Sequence, residues 1–386
     1  MPAMTLLDRI RGCLLGMAIG DALGAPLEGL SPHQIRSQYH VVDDFVDGMK
    51  AWKKKPYRWR MPGLYSDDTQ QALVLTDVLL AHGCIVPEEV AARYLSLAHP
   101  RGTHSGAHRG VGTSFRQVLQ ELDRGTSPCQ TGQNSAGIGA AMRIAPVGVY
   151  FHDHPDAIFN AVMDASLITH RDIRSLAGAM AVAFAVRRLV AGEAREPSLL
   201  LRLAADVARA EERIASEYAA QVVSADVYRR SVSTTIARTE SLLELPREAA
   251  LAAIVEEANQ HGSTPICRYP TMGFPPACIP TCLYLFLTTD TLEEAIVDIV
   301  NLGRDADSAG AILGALVGAH YGVAEIPERW LQRLRNREGV DLRGQALANK
   351  STEGLAIPDL VETERELSNL EAEVRDRMRQ ALLPMT

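Results

Sequence analysis

LLDRIRGCLLGMAIGDALG, residues Leu6–Gly24, is the stretch on which the fold turns. Gly12, Gly16, Gly20 and Gly24 recur every fourth residue inside an otherwise apolar helical pattern. Gly310, Gly314, Gly318 and Gly322 repeat that spacing near the other end of the chain. Each helical glycine costs about 1 kcal/mol relative to alanine, so such a ladder points to a packing need. Residues four apart share one helix face, and glycines there let a second backbone come close. The pattern predicts two buried central helices packed tightly in the core. The first runs toward Asp21 and Glu28, and the second starts just after Asp305, Asp307 and Ser308. Packed antiparallel, they would bring the two acidic ends together, which is costly to bury without a cation.

Outward from these two segments, Ala-, Leu-, Arg- and Glu-rich stretches carry helical periodicity through most of the chain. It predicts helices over Leu6–Leu23, Thr69–Ala81, Pro87–Ala98, Gly110–Arg124, Pro155–Leu167, Ile173–Ala191 and Ser198–Tyr218. It continues with Ser224–Leu243, Arg247–Ala258, Pro276–Leu287, Leu292–Leu302 and Ser308–Tyr321. Alternating strand-like runs are scarce, so the expected class is all-α, with long functional loops at Val42–Leu64 and Gly125–Pro146. The tail Ile357–Leu383 sets many charges around a thin line of Leu and Val. It reads as a solvated surface helix or, alternatively, as a helical oligomer contact. Residues 1–330 are taken as the main helical domain and 331–386 as a C-terminal helical extension.

With 39 Lys+Arg against 47 Asp+Glu, the chain carries a formal net charge of -8, which argues against general nucleic-acid binding. Its six cysteines form no CxxC pair and read as reduced thiols rather than a disulfide framework. Arg9 and Arg11 before the apolar Cys13–Gly20 loosely follow a signal peptide's order, but Asp21 cuts that stretch short. No membrane partner is expected, and the expected location is the cytoplasm.

Ser66-Asp67-Asp68-Thr69 precedes one predicted helix and Asp305-Ala306-Asp307-Ser308 precedes another. Alone, each is an ordinary N-terminal cap, with a hydroxyl accepting a backbone N–H and acids at the positive end of the helix dipole. Together they offer four carboxylates and two hydroxyls. Hard oxygen donors suit Mg²⁺, Mn²⁺ or Ca²⁺ better than zinc, and two such triplets could bracket a cation pair, as in two-metal hydrolases. The EF-hand spacing is absent, as are a GxSxG elbow and a P-loop. His99, His104 and His108 lack a fourth ligand for zinc.

The blocks Arg11–Gly16, Gly20–Glu28, Ser66–Gln70, Gly139–Pro146, Thr169–Asp172 and Gly303–Ala311 together resemble the ADP-ribosylglycohydrolase family, in family order over residues 9–322. The resemblance implies a compact orthogonal helical bundle around a central dimetal cleft holding two Mg²⁺ or Mn²⁺. By position, Ser66, Asp67 and Asp68 would form one metal triplet and Asp305, Asp307 and Ser308 the other, with Ser where the family has Thr. Glu28 matches a family glutamate near the metals, and Glu28, Asp67 and Asp307 are the implied catalytic residues. Substrate contacts are implied at Gly110 and Gly112, at Ser135, Gly137, Ile138 and Gly139, and at Met142, Arg143 and His170, with Arg143 open to the alternative of a helix-face cation paired with a carboxylate. Met272–Pro276 reads as a pocket-rim loop whose Phe274 would stack on adenine, or alternatively as a Pro-rich turn. The implied reaction is hydrolysis of the bond between ADP-ribose C1″ and an acceptor on a protein or small-molecule conjugate. Arginine, serine, another group and O-acetyl-ADP-ribose all stay open as the acceptor. One departure is Gly137-Ile138-Gly139, where the family reads Gly-Asn-Gly; isoleucine makes no side-chain hydrogen bond. It leaves the alternative of a non-catalytic ADP-ribose-binding or structural member.

Overall fold

A computed structural model describes residues 4–100 and 106–382; His104 and the last residues of the tail lie outside them. The helices run α1 Leu6–Gly24, α2 Pro32–Tyr39, α3 Met49–Trp52, α4 Asp67–His82, α5 Pro87–Ala98 and α6 Thr113–Asp123. Next come α7 Ala145–Tyr150, α8 Pro155–Leu167, α9 Ile173–Val190, α10 Ser198–Glu217, α11 Ala225–Tyr228, α12 Ser231–Glu240 and α13 Arg247–Asn259. The chain closes with α14 Pro275–Thr288, α15 Leu292–Asn301, α16 Ala306–Tyr321, α17 Glu328–Arg333, α18 Arg337–Asn349 and α19 Leu360–Leu382. Among the described residues there is no named strand, only isolated bridges such as Gln133 with His170.

α1 starts on a capping box between Thr5 and Asp8 and is buried from Gly12 to Gly24. It lies antiparallel to α16. Gly12 faces Gly318, Gly16 faces Gly314, Gly20 faces Gly310, and Gly24 faces Ala306. A Cβ at any of these glycines of α1 would fall inside van der Waals contact of the facing carbonyl oxygen, so only glycine permits this separation. Leu6–Leu27 is long and apolar enough to cross a bilayer, yet 94% of its most apolar window is buried inside the protein. It is the axis of the core. α9 and α14 pack against α16, and α18 packs across α1, where Arg11 pairs with Asp341 at 2.7 Å.

Three differences from the sequence reading have local causes. Gly110 takes a left-handed φ of +84°, so the helix expected from Gly110 begins only at Thr113. Ser224–Leu243 divides into α11 and α12, with Ser224 and Arg230 in left-handed conformations. The break frees N–H groups for the buried Glu211 carboxylate, which accepts from Val232 N (3.0 Å) and Ser233 Oγ (2.5 Å). α19 is not a solvated surface helix: Glu364 and Glu371 are fully buried against the body of the protein. α2 was not read from the sequence, and α18 only as an undivided part of the helical extension 331–386; both are polar and lack a long apolar stripe.

Candidate active site

The end of α1 and the starts of α4, α6 and α16 meet at a cavity of about 270 Å³. Asp67 and Asp68 open α4, Asp305 stands at the N-cap position of α16, and Asp307 lies in its first turn. Glu28, half-buried, follows the 3-10 turn Ala25–Leu27 that ends α1. These five acids and Ser308 all line the cavity.

The α4 acids are set by side chains. Asp21, fully buried in α1, accepts from Ser66 N (2.8 Å), Thr69 N (3.0 Å) and Thr69 Oγ1 (2.6 Å). Ser66 Oγ accepts from Asp68 N at 3.2 Å as the N-cap, and Ser66 itself is not on the cavity wall. Gln71 Nε2 donates to Asp67 Oδ2 at 2.6 Å. The α16 acids are set by backbone instead. Asp305 makes no capping bond, and its N–H donates to Thr271 O at 2.9 Å. Gly29 N donates to Arg304 O (2.6 Å) and Arg304 N to Leu30 O (2.7 Å), which ties the Glu28 loop to the Asp305 loop. Gly273, at φ +70°, leaves room for the Asp305 carboxylate that a Cβ would occupy.

Burial, then neighbouring acids, raise these carboxyls. Burial, Asp21 and Glu28 push Asp67 up to about 7, and burial and Glu28 push Asp305 up to about 6. Asp68 and Asp307 are raised well above the ordinary range, each by burial and by acids of both clusters, with Ser308 easing Asp68. Among the described residues, Asp68 Oδ2 and Asp307 Oδ1 are buried with no hydrogen-bond donor. A buried carboxylate oxygen without a donor is costly, and a hard cation would satisfy it. Among the described residues, however, no three His, Cys, Asp or Glu side chains form a ready-made cage. The acids line the cavity without closing on a point.

The other walls come from α6 and from Ser135–Met142. Gly110 and Gly112 lead into Thr113, Ser114 and Phe115, so the N-terminus of α6 faces the cavity. A Cβ on Gly112 would meet open space, whereas one on Gly110 would lie 3.1 Å from Asp67 Oδ1. Opposite are Ser135, Gly137, Ile138, Gly139, Met142 and His170. Ile138 is 4% exposed and sits in a 3-10 turn. A Cβ on Gly139 would approach His170 Cε1 to 2.9 Å, so glycine there gives the imidazole its place. Burial and the nearby Arg143 push His170 down to about 3, so the ring is neutral. Arg143 lines the cavity and has no carboxylate partner among the described residues. It donates to Gln71 Oε1 (2.5 Å) and Thr169 Oγ1 (2.5 Å), and Thr169 Oγ1 bonds His170 Nδ1 (2.8 Å). One chain of hydrogen bonds thus runs from Asp67 through Gln71, Arg143 and Thr169 to His170.

Phe274 does not reach this cavity. It packs with Ala258, Cys267 and Ala277 and lines a neighbouring cavity with Arg174. The aromatic side chain on the main wall is Phe115, which the sequence reading placed only in a helix. Asp21, Gln71, Thr113 and Ser114 were also missed as site residues, whereas Met272 and Gly273, from the expected pocket-rim loop Met272–Pro276, do line the cavity. A signal existed for Asp21: a carboxylate in the last turn of an apolar helix opposes the helix dipole and needs donors. His99 pairs with the exposed Asp123, and His108 bonds Tyr94 O; neither lines the cavity.

Residues 2–362 match the family model described as ADP-ribosylglycohydrolase. The ADP-ribosyl-[dinitrogen reductase] glycohydrolase of Rhodospirillum rubrum is 26% identical over 348 residues, 90% of this chain and 97% of that protein. ADP-ribosylhydrolase ARH3 of Bos taurus is 28% identical over 357 residues, 88% of this chain and 92% of that protein. A solved structure titled as an ADP-ribosylglycohydrolase-related protein complex matches at 28% identity with a TM-score of 0.64. The match covers 90% of this chain and 99% of that one.

Proposed function

We propose a hydrolase from one premise: the chain belongs to the ADP-ribosylglycohydrolase family. The reaction is cleavage by water of the bond between ADP-ribose C1″ and an acceptor on a protein or small-molecule conjugate. One observation carries the reading, the meeting of two acidic helix starts whose Asp68 Oδ2 and Asp307 Oδ1 lack donors in a cavity shared with Glu28.

Asp67 and Asp68 with Asp305, Asp307 and Ser308 would hold two divalent cations, Mg²⁺ or Mn²⁺; Ser66, off the cavity wall, caps α4 instead. Bound there, such ions supply Lewis-acid polarisation and acidify water. The chain's own groups do the rest. Glu28 accepts the proton of the attacking water; Asp67 and Asp307 are the other carboxylates placed to take it. The surrounding acids favour the positive charge that builds at C1″ in an oxocarbenium-like state. The N–H groups of Gly112, Thr113 and Ser114 at the start of α6 face the diphosphate. Neutral His170 presents a ring nitrogen to the sugar, held in orientation by Thr169.

The test is release of ADP-ribose from arginine-linked, serine-linked and O-acetyl-linked substrates, before and after chelation and with Mg²⁺ or Mn²⁺ restored. Release that needs the cation supports the reading. Binding of ADP-ribose without release from any substrate would favour the non-catalytic alternative, for which Ile138 in place of asparagine is the argument.

A further inference from the structure

We propose that Glu364, on the C-terminal helix α19, is a positioning residue that fixes the Asp67–Asp68 wall of the cavity through Arg109, Gln70 and Tyr65; this rests on the functional reading of that wall. Glu364 lies just beyond residues 2–362 matched by the family model, and nothing in the motif blocks points to it.

The Glu364 carboxylate is fully buried and accepts from three side chains. Tyr65 OH donates to Oε1 at 2.5 Å, and Arg109 Nη2 (2.6 Å) and Gln70 Nε2 (2.8 Å) donate to Oε2. Tyr65 and Gln70 bracket Ser66-Asp67-Asp68-Thr69 in the chain, and Arg109 directly precedes Gly110. Arg109 is 3% exposed, and Glu364 is the carboxylate that balances it. The guanidinium also donates to Tyr65 O (2.9 Å) and to Ser368 Oγ of α19 (2.8 Å). Gln70 Oε1 accepts from Arg109 N at 3.0 Å. The last link reaches the site itself: Arg109 O accepts from Asp67 N at 2.7 Å. One carboxylate from α19 therefore gathers both cavity loops, with two intervening contacts to Asp67. α19 is pinned again by Glu371, which accepts from Met61 N at 3.1 Å. The side chains of Trp59, Met61 and Leu64 also pack against Leu367, Val374 and Met378.

Loss of the Glu364 charge leaves the buried Arg109 guanidinium without its directly paired carboxylate, with Glu371 acting on it only from further off. That is costly and frees Arg109, and with it the carbonyl that sets Asp67. Outer-shell partners of this kind typically change metal affinity about 10–100-fold. The experiment compares the full-length chain with Glu364→Gln, Glu364→Ala and, as a control on the exposed side of the same helix, Glu366→Gln. Three readouts are taken well below the melting temperature. They are calorimetric titration of Mn²⁺ into chelator-treated protein, kcat and KM separately on arginine-linked ADP-ribose, and hydrogen–deuterium exchange of peptides spanning 65–71 and 107–112.

For Glu364→Gln, the expected result is Mn²⁺ binding weakened about tenfold and a lower kcat with KM little changed. Faster exchange should be confined to the two loops. Glu366→Gln should match wild type in all three. Wild-type metal affinity and unchanged exchange in Glu364→Gln would overturn the proposal, even if its melting temperature falls, because that is what a merely structural contact produces. If Glu364→Ala does not fold, Glu364→Gln, which keeps the shape, still decides. A wild-type protein that binds no Mn²⁺ would count against the hydrolase reading alone, since loop exchange reads the strut without metal.

Discussion

At the start of α4, Asp67 is held mainly by side chains: Gln71 binds its carboxylate and Asp21 gathers the surrounding N–H groups, while one backbone carbonyl, Arg109 O, receives its own N–H. At the start of α16, Asp305 and Asp307 are placed by backbone: carbonyls at Thr271 and Leu30, glycines at 273 and 303, and the glycine contact between α1 and α16. The same donor chemistry is thus presented by two kinds of scaffold. A wall held by side chains should be sensitive to polar deletion, and one held by backbone should be sensitive to added volume.

The largest effect should come from volume. Gly24→Val drives a branched side chain into the Ala306 carbonyl and Asp307 N, at the root of the α16 cluster. A loss of about 3 kcal/mol is expected in urea unfolding; an unchanged midpoint would break the backbone half of the contrast. Asp21→Ala attacks the other wall, stripping Ser66 N, Thr69 N and Thr69 Oγ1 of their acceptor. It should cost about 2 kcal/mol. Thr271→Val, which removes only the bond from Thr271 Oγ1 to Gly303 O, should cost about 1 kcal/mol in the same assay. Equal losses would erase the distinction.

Charge sharpens it further. Asp307 Oδ1 has no donor and faces acids from both clusters, so Asp307→Asn should leave the chelated protein as stable as wild type or more so. Asp67→Asn gives up the charge that Gln71 binds and should gain less. Melting temperatures in chelator order the two, and both variants should lose stabilisation by Mg²⁺. A full Mg²⁺ response in Asp307→Asn would remove it from the ligand set. On pH, the folded-state values of Asp67, about 7, and Asp305, about 6, are raised above those of an unfolded chain. Without cation, their contribution to stability is fully present below about pH 4 and is lost as pH rises through 6 to 7. Cation binding must displace those same protons, so Mg²⁺ affinity should tighten between about pH 5.5 and about pH 7.5. Identical calorimetric affinities at the two values would mean that the acids are not raised.

The smallest effect expected is at Ile138, buried on the third wall. Ile138→Asn restores a polar contact worth about 0.5–1.5 kcal/mol, several-fold in kcat/KM if it acts at the transition state. If the isoleucine serves one acceptor, the variant should lose activity on that substrate alone. Gains on arginine-, serine- and O-acetyl-linked ADP-ribose together would mark Ile138 as a lesion.

The glycine ladders were legible because a helical glycine has a known cost and a spacing that names its face. The two acid clusters were legible because hard oxygens at a helix start form a short local pattern. What holds the α4 cluster was not, since Asp21 and Glu364 act across long sequence separations, and they and Gln71, four residues from Asp67, each look like an ordinary polar residue in their own helix. The tail shows the limit most clearly. Glu364 and Glu371 sit among eight other charges of α19 in one amphipathic pattern, and only tertiary contact separates a buried acid from a solvated one. Phe274 failed for a related reason: a Pro-flanked aromatic announces a turn but not which of two adjoining cavities it faces.

The central place of α1 has a consequence for how the chain is made. Arg9 bonds His320 O, 311 positions further along, and the glycine face of α1 is closed by α16 alone. At about 5–20 residues per second, roughly 15–60 s of translation separate the emergence of α1 from that of α16. Through that interval a segment long and apolar enough to cross a bilayer has left the ribosome without its partner, and closing such a distant pairing is slow. Nascent chains stalled before residue 306 should therefore be held by chaperones or aggregate, and release should follow soon after α16 clears the exit tunnel.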